Sequence, residues 1–150
     1  SAQDIVKGNG DGTFAPAAYL KYGEALKLIM EAAGYPTPTK TGSHWASGYL
    51  TQAYINGIVS TTSIDLNASI NRTAVAELAA KALKMSPAYS VNAGIVGPTD
   101  SSNGYVYALY NAGILNGDNS TGVNRYNGSN FITRAEICKI ICLVNDYATK

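Results

Sequence analysis

Three times in this chain a turn-rich loop reaches an aromatic or aliphatic anchor and then, at a constant offset, a polar residue that opens an amphipathic helix. The third copy reads Tyr126-Asn-Gly-Ser-Asn-Phe-Ile-Thr133-Arg134-Ala-Glu136 and runs into Ile137-Cys-Lys-Ile140-Ile141. The first reads Phe14-Ala-Pro16-Ala-Ala-Tyr-Leu20-Lys21-Tyr22-Gly-Glu24, and the second Ile64-Asp-Leu-Asn-Ala-Ser-Ile70-Asn71-Arg72-Thr-Ala74. A repeat with a period of tens of residues is one supersecondary unit that cannot bury its apolar face alone. The chain must therefore fold as stacked units, with function sought at the joints between them.

A second recurrent element precedes the loop, since Ala53-Tyr-Ile55-Asn-Gly57-Ile58-Val59 matches Leu109-Tyr-Asn-Ala112-Gly113-Ile114-Leu115 in character. At the start of the chain Asp4-Ile5-Val6 stands where Gly-Ile-Val would stand, so about two and a half repeats are expected, the first without its leading helix. Apolar residues recur at helical spacing over 21–33, 44–56, 71–84, 104–112 and 133–147, with Gly34, Gly57 and Gly113 as C-terminal stops. The stubs between helices are too short for a sheet. The expected fold is mainly α, a pseudo-threefold array of helix-loop-helix repeats in a single domain over 1–150, with pieces at about 1–35, 36–85 and 86–150. The linker 35–43 reads as extended and polar, and 86–103 as a stretch wrapping along a neighbouring repeat.

These pieces resemble the S-layer homology domain. His44-Trp45-Ala46, Gly57-Ile58-Val59, Gly10-Asp11-Gly12-Thr13-Phe14-Ala-Pro16 and Thr133-Arg134-Ala135-Glu136 stand in that family's order and spacing, over nearly the whole chain. The resemblance implies a non-catalytic, secreted module at the bacterial cell wall or S-layer that binds an anionic secondary cell-wall polysaccharide. It also implies that a pyruvate-ketal carboxylate of that polymer is received between repeats by the Thr-Arg-Ala-Glu arginine. By position Arg72 and Arg134 inherit that role. Lys21 and Tyr22 stand in the Thr-Arg places of the first copy, and the second copy lacks the capping glutamate, so only one or two joints are expected to bind. The alternative is a degenerate scaffold or self-association module.

Residue chemistry bears on each candidate. Thr133 and Glu136 form a capping box by spacing. Arg134 in the first helical turn is opposed to the helix dipole, which calls for an anion or a carboxylate beside it, and a helix N-terminus with a guanidinium fork suits one. Arg72 is either such a ligand arginine or part of an intramolecular ion pair. Trp45 is either a sugar-stacking platform or, the favoured reading, an aromatic packing one repeat on the next. Asp100 either accepts hydrogen bonds from a sugar or, as favoured, caps the following helix. His44 reads as a helix-start surface residue. The eleven tyrosines against two phenylalanines suit wet grooves as well as a core.

Composition removes other classes. A net charge of +1 without a basic run argues against nucleic acid, and no apolar stretch approaches the roughly 20 residues needed to span a bilayer. With 46% apolar and 14% charged residues the balance is that of a soluble globular domain. No signal peptide is visible, and a chain beginning inside a repeat reads as a processed or excised piece. Its open first repeat predicts a homodimer supplying the missing helix, or a rearranged terminus. Asn9-Gly10-Asp11-Gly12 lacks the acidic first ligand and the closing glutamate of a calcium loop. Cys138 and Cys142, four apart on one helix, are expected as buried free thiols rather than a disulfide or metal pair. No catalytic signature, cofactor or metal is expected.

Overall fold

A computed structural model describes residues 18–39, 42–115 and 125–150. Five helices run through them: α1 (Tyr22–Ala32), α2 (Ser47–Ile55), α3 (Arg72–Ala82), α4 (Gly104–Asn111) and α5 (Arg134–Ala148). Four lie within the segments that apolar periodicity predicts, and α5 runs one residue past its own. The fold is mainly α: among the described residues the strand-like pairings are isolated bridges, including the antiparallel ones of Tyr19 with Thr133, Lys21 with Ser69 and Asn71 with Phe131.

Side chains at the helix starts explain where the helices begin. At α5 the Thr133 hydroxyl accepts the Glu136 N–H at 3.2 Å while Glu136 Oε1 accepts the Thr133 N–H at 3.0 Å, the predicted capping box. At α3 the Asn71 side chain accepts the Ala74 N–H, and at α4 Asn103 accepts those of Tyr105 and Val106. Lysine has no acceptor, so α1 keeps only the glutamate half of the box, with Glu24 Oε1 taking the Lys21 N–H at 2.9 Å.

The helix ends follow the glycines, with Gly34, Gly57 and Gly113 all at positive φ. In α3 that place is held by Lys84, whose φ is 62°. A non-glycine residue there costs about 1 kcal/mol or more. The side chain supplies an offset, since Lys84 Nζ reaches the Asn56 carbonyl at 3.3 Å and lies 5.8 Å from the centre of the Tyr35 ring.

The three repeats are joined by a closed ring of backbone hydrogen bonds. Leu20 N–H donates to Ile132 C=O at 2.9 Å, Ile132 N–H to Ile70 C=O at 3.1 Å, and Ile70 N–H to Leu20 C=O at 3.1 Å. These residues occupy the same place in each repeat, immediately before the N-cap, and all three are buried. From this collar α1, α3 and α5 descend. Their inward residues, among them Leu26, Ile29, Met30, Val75, Leu78, Ile137, Ile141 and Val144, form the core. α2 packs on α1, and α4 on α3.

The linkers cross the starts of α2 and α4 at one repeat-equivalent glycine each. A Cβ on Gly48 would lie 2.6 Å from the Thr39 carbonyl, and one on Gly104 2.7 Å from Pro87 Cβ and 3.0 Å from the Ala88 carbonyl. The segment from 86 lies along α4 of its own repeat rather than along a neighbour: Ala88 N–H donates to Gly104 C=O, and Asn111 bonds to Ser90 and Asn92. Gly104→Ala is expected to cost a net 1–2 kcal/mol, roughly, because overpacking against a proline ring outweighs the gain of about 1 kcal/mol in helix propensity. Urea denaturation measures this, and an unchanged midpoint would show that the 86–88 segment yields freely.

Candidate functional site at the joints between repeats

At each joint the first turn of one repeat's second helix meets the loop of the next repeat. The Tyr22 and Gly23 N–H groups of α1 donate to the Ala68 and Leu66 carbonyls, and the Arg72 and Thr73 N–H groups of α3 to Asn130 and Gly128. In α5 the Arg134 N–H donates to Ala18. With the caps added, the first three N–H groups of α3 are all occupied. At α3 a bare helix N-terminus receiving an anion is therefore ruled out, since the neighbouring loop and the Asn71 side chain already take those donors. Gly128 makes the approach feasible, because a Cβ there would stand 2.1 Å from Thr73 Oγ1.

Both candidate arginines are paired across joints. Arg72 bonds through Nη1 to Glu136 Oε2, and Arg134 through Nη2 to Glu24 Oε2. Each glutamate thus splits its oxygens, one for its own helix start and one for the arginine of the adjacent repeat. The dipole argument for a nearby carboxylate is satisfied from within the chain. The two pairs differ in access: the side chains are 12% and 20% exposed for Arg134 and Glu24, but 20% and 42% for Arg72 and Glu136. Arg134 accordingly stands in a structural ion pair. At the third joint Tyr22 holds the arginine place and Ala74 the glutamate place, so the pair is missing on both sides. Burial and then the Glu77 carboxylate hold the Tyr22 hydroxyl above its usual range.

The joint between the second and third repeats is organised by Tyr126. Its hydroxyl donates to the Arg72 carbonyl, its own carbonyl accepts Arg72 Nε–H at 2.9 Å, and the guanidinium lies 5.4 Å from its ring centre. Burial holds the hydroxyl far above the usual tyrosine range, with Arg72 opposing only in part. Tyr110, edge-on to Tyr126, is likewise pushed up to about 12 by burial. Beside them lies a cleft of about 320 Å³ lined by Arg72, Ile114, Leu115, Tyr126, Ala135, Glu136, Lys139 and Ile140. Lys139 and Glu136 were not singled out by the sequence as ligand residues.

Against the expectation from sequence, Asp100 does not cap α4; Asn103 does. The Asp100 carboxylate instead accepts the Tyr126 and Asn127 N–H groups at 2.8 and 3.0 Å, tying the loop of its repeat to the helix start. Desolvation opposes its ionisation, but these bonds and nearby Arg125 outweigh that and hold the carboxyl below its usual value.

At the joint between the first and second repeats, His44 is half-buried. Its Nδ1 accepts the Ala46 N–H and its Nε2 bonds to Asn67 Oδ1 at 2.8 Å. Lys21 Nζ is 3.4 Å from the Asn67 carbonyl. Trp45 is 47% exposed and lies against the His44 ring, so it is not the buried packing aromatic that the sequence favoured. The structure thus gathers Lys21, Tyr22, His44 and Trp45 at one joint, and Arg72, Asp100 and Tyr126 at another. Cys142 is exposed, against the expectation of burial, while Cys138 is half-buried with its Sγ–H on the Arg134 carbonyl. The Gly10-Asp11-Gly12-Thr13 turn, the Phe14 anchor and the residues bearing on a missing first helix lie outside the described residues. Among the described residues no group of three or more His, Cys, Asp or Glu could hold a metal, and no helix is long and apolar enough to cross a membrane.

The family model for the S-layer homology domain matches residues 1–26 and 96–138, just under half of the chain. Together with the repeat geometry, the match is consistent with a partial, degenerate set of S-layer homology repeats. Domains of this family are generally cell-wall polysaccharide anchoring modules, associated with the cell surface. No curated protein matches the chain.

Proposed function

We propose that this chain is a non-catalytic anchor for an anionic secondary cell-wall polysaccharide, held at the bacterial surface through the joint between its second and third repeats. The observation that carries this reading is the cleft in which Arg72, Tyr126 and Lys139 stand together, with the Arg72 partner Glu136 substantially exposed. A ligand carboxylate, such as that of a pyruvate ketal, exchanges with Glu136 as the partner of Arg72 while Lys139 offsets the added charge. A charge-assisted bond of this kind contributes about 1.5–3 kcal/mol. The joint at Arg134 is closed by a less accessible pair, and at the joint of Tyr22 no arginine holds the corresponding place, so a single competent joint is the reading.

Arg72→Ala is expected to weaken retention on purified wall polysaccharide about tenfold or more. Removing the ketals from the polymer should have the same effect on the parent chain. Undiminished binding by a folded Arg72→Ala variant would sink the anchor reading. The scaffold reading is favoured by one observation, that both arginines already have internal carboxylate partners. It would then take the anchor's place.

A further inference from the structure

The collar that closes the three repeats also presents a surface outside the Arg72 cleft. Side chains alternate along extended backbone. With Leu20, Ile70 and Ile132 turned into the core, the residues before them, Tyr19, Ser69 and Phe131, stand at its outer face. Tyr19 is 56% and Phe131 48% exposed, and their rings meet at a centroid distance of 5.4 Å with 60° between planes. The backbone beneath them is fixed by the bridges of Tyr19 to Thr133 and Phe131 to Asn71, so little order has to be gained when a ligand arrives. The third place, Ser69, is small, and its bridge to Lys21 brings an exposed lysine to the same collar.

What fits this surface is set by its size and neighbours. The exposed halves of two aromatic side chains amount to roughly 200 Å², well below the approximately 800 Å² per partner of a stable protein interface. That area suits one sugar ring, whose C–H face packs on aromatic carbon. Lys21, exposed on the same collar, complements an acidic polymer. The platform is also continuous with the cleft through one loop: Asn130, whose carbonyl accepts the Arg72 N–H at 2.9 Å, is followed directly by Phe131. We infer that Tyr19 and Phe131 are a stacking platform for a pyranose ring of the wall polysaccharide, a second contact that rests on the anchoring reading and extends it along the polymer.

The test uses two probes titrated into the full chain by calorimetry: purified ketal-bearing wall polysaccharide, and a methyl glycoside carrying a 4,6-pyruvate ketal. Phe131→Ala is expected to weaken the polysaccharide about tenfold while leaving the short glycoside unchanged, and Phe131→Trp to restore the loss. Thermal melting confirms that the variant is folded; Tyr19→Ala, on a separate segment, is the second variant and should behave alike. If Arg72→Ala loses polysaccharide binding but Phe131→Ala and Tyr19→Ala do not, the platform is wrong and the anchor stands. If the parent binds neither probe, both fall. A change in sedimentation on Phe131→Ala, with no change in sugar binding, would assign the rings to self-association and overturn the proposal.

Discussion

Tyr126→Ala is expected to lower the stability of the chain by about 3–5 kcal/mol, the range for deleting a buried aromatic from a core. For a domain of this size that corresponds to a fall in Tm of roughly 6–20 °C. The ring packs edge-on to Tyr110 and under the Arg72 guanidinium, and the hydroxyl reaches across the joint to the Arg72 carbonyl. Tyr126→Phe keeps the ring and removes only that hydrogen bond, so its cost should be nearer 1 kcal/mol. Thermal and urea denaturation of the pair separate packing from hydrogen bonding. A cost below about 1 kcal/mol for the alanine variant would mean that the joint repacks without its tyrosine, and the description of Tyr126 as its organiser would be wrong.

Arg134→Ala is expected to cost about 2–4 kcal/mol. Removing one partner of a desolvated pair leaves the other charge without compensation, here Glu24, which is 20% exposed. The loss should appear in the denaturation midpoint whether or not any polymer is present. Glu24→Gln should cost less, because the amide oxygen still accepts the Lys21 N–H that Glu24 Oε1 takes in the native chain. A double-mutant cycle between positions 24 and 134 isolates the pair from the cap; a coupling below about 0.5 kcal/mol would reduce Arg134 to a surface residue.

The helices and their order were legible because they rest on local signals, namely apolar spacing of three to four residues and the glycines after α1, α2 and α4. The capping box at α5 was legible for the same reason. What one side of that box conceals is the second carboxylate oxygen. Glu136 satisfies its own helix start with one oxygen, so nothing nearby in sequence suggests that the other takes Arg72, 64 positions away, or that Glu24 takes Arg134 across 110. Asp100 misled for a related reason: an acid a few residues before a helix resembles a cap, yet Asn103 stands closer and wins. The glycines at 48 and 104 carried a signal that went unread, a shared place in two repeats with a linker pressed against it. Exposure of Trp45 and Cys142 depends on which neighbours cover a helix face, which the spacing of residues along one helix does not state.

The missing pair at Tyr22 and Ala74 bears on how substitutions in different repeats are coupled. The two residues belong to different repeats, and an aligned set of repeats would score them as two unrelated departures from a consensus. In the closed collar they occupy the two sides of one joint, with Tyr22 facing Glu77 one turn beyond Ala74. Loss of only one partner would strand a carboxylate or a guanidinium in a partly dry seam, whereas loss of both strands neither. The seam rather than the single repeat is therefore the unit in which such a pair stands or falls. A substitution in one repeat is thus answered by the repeat across the seam, and its cost depends on what stands at positions 64 or 110 residues away.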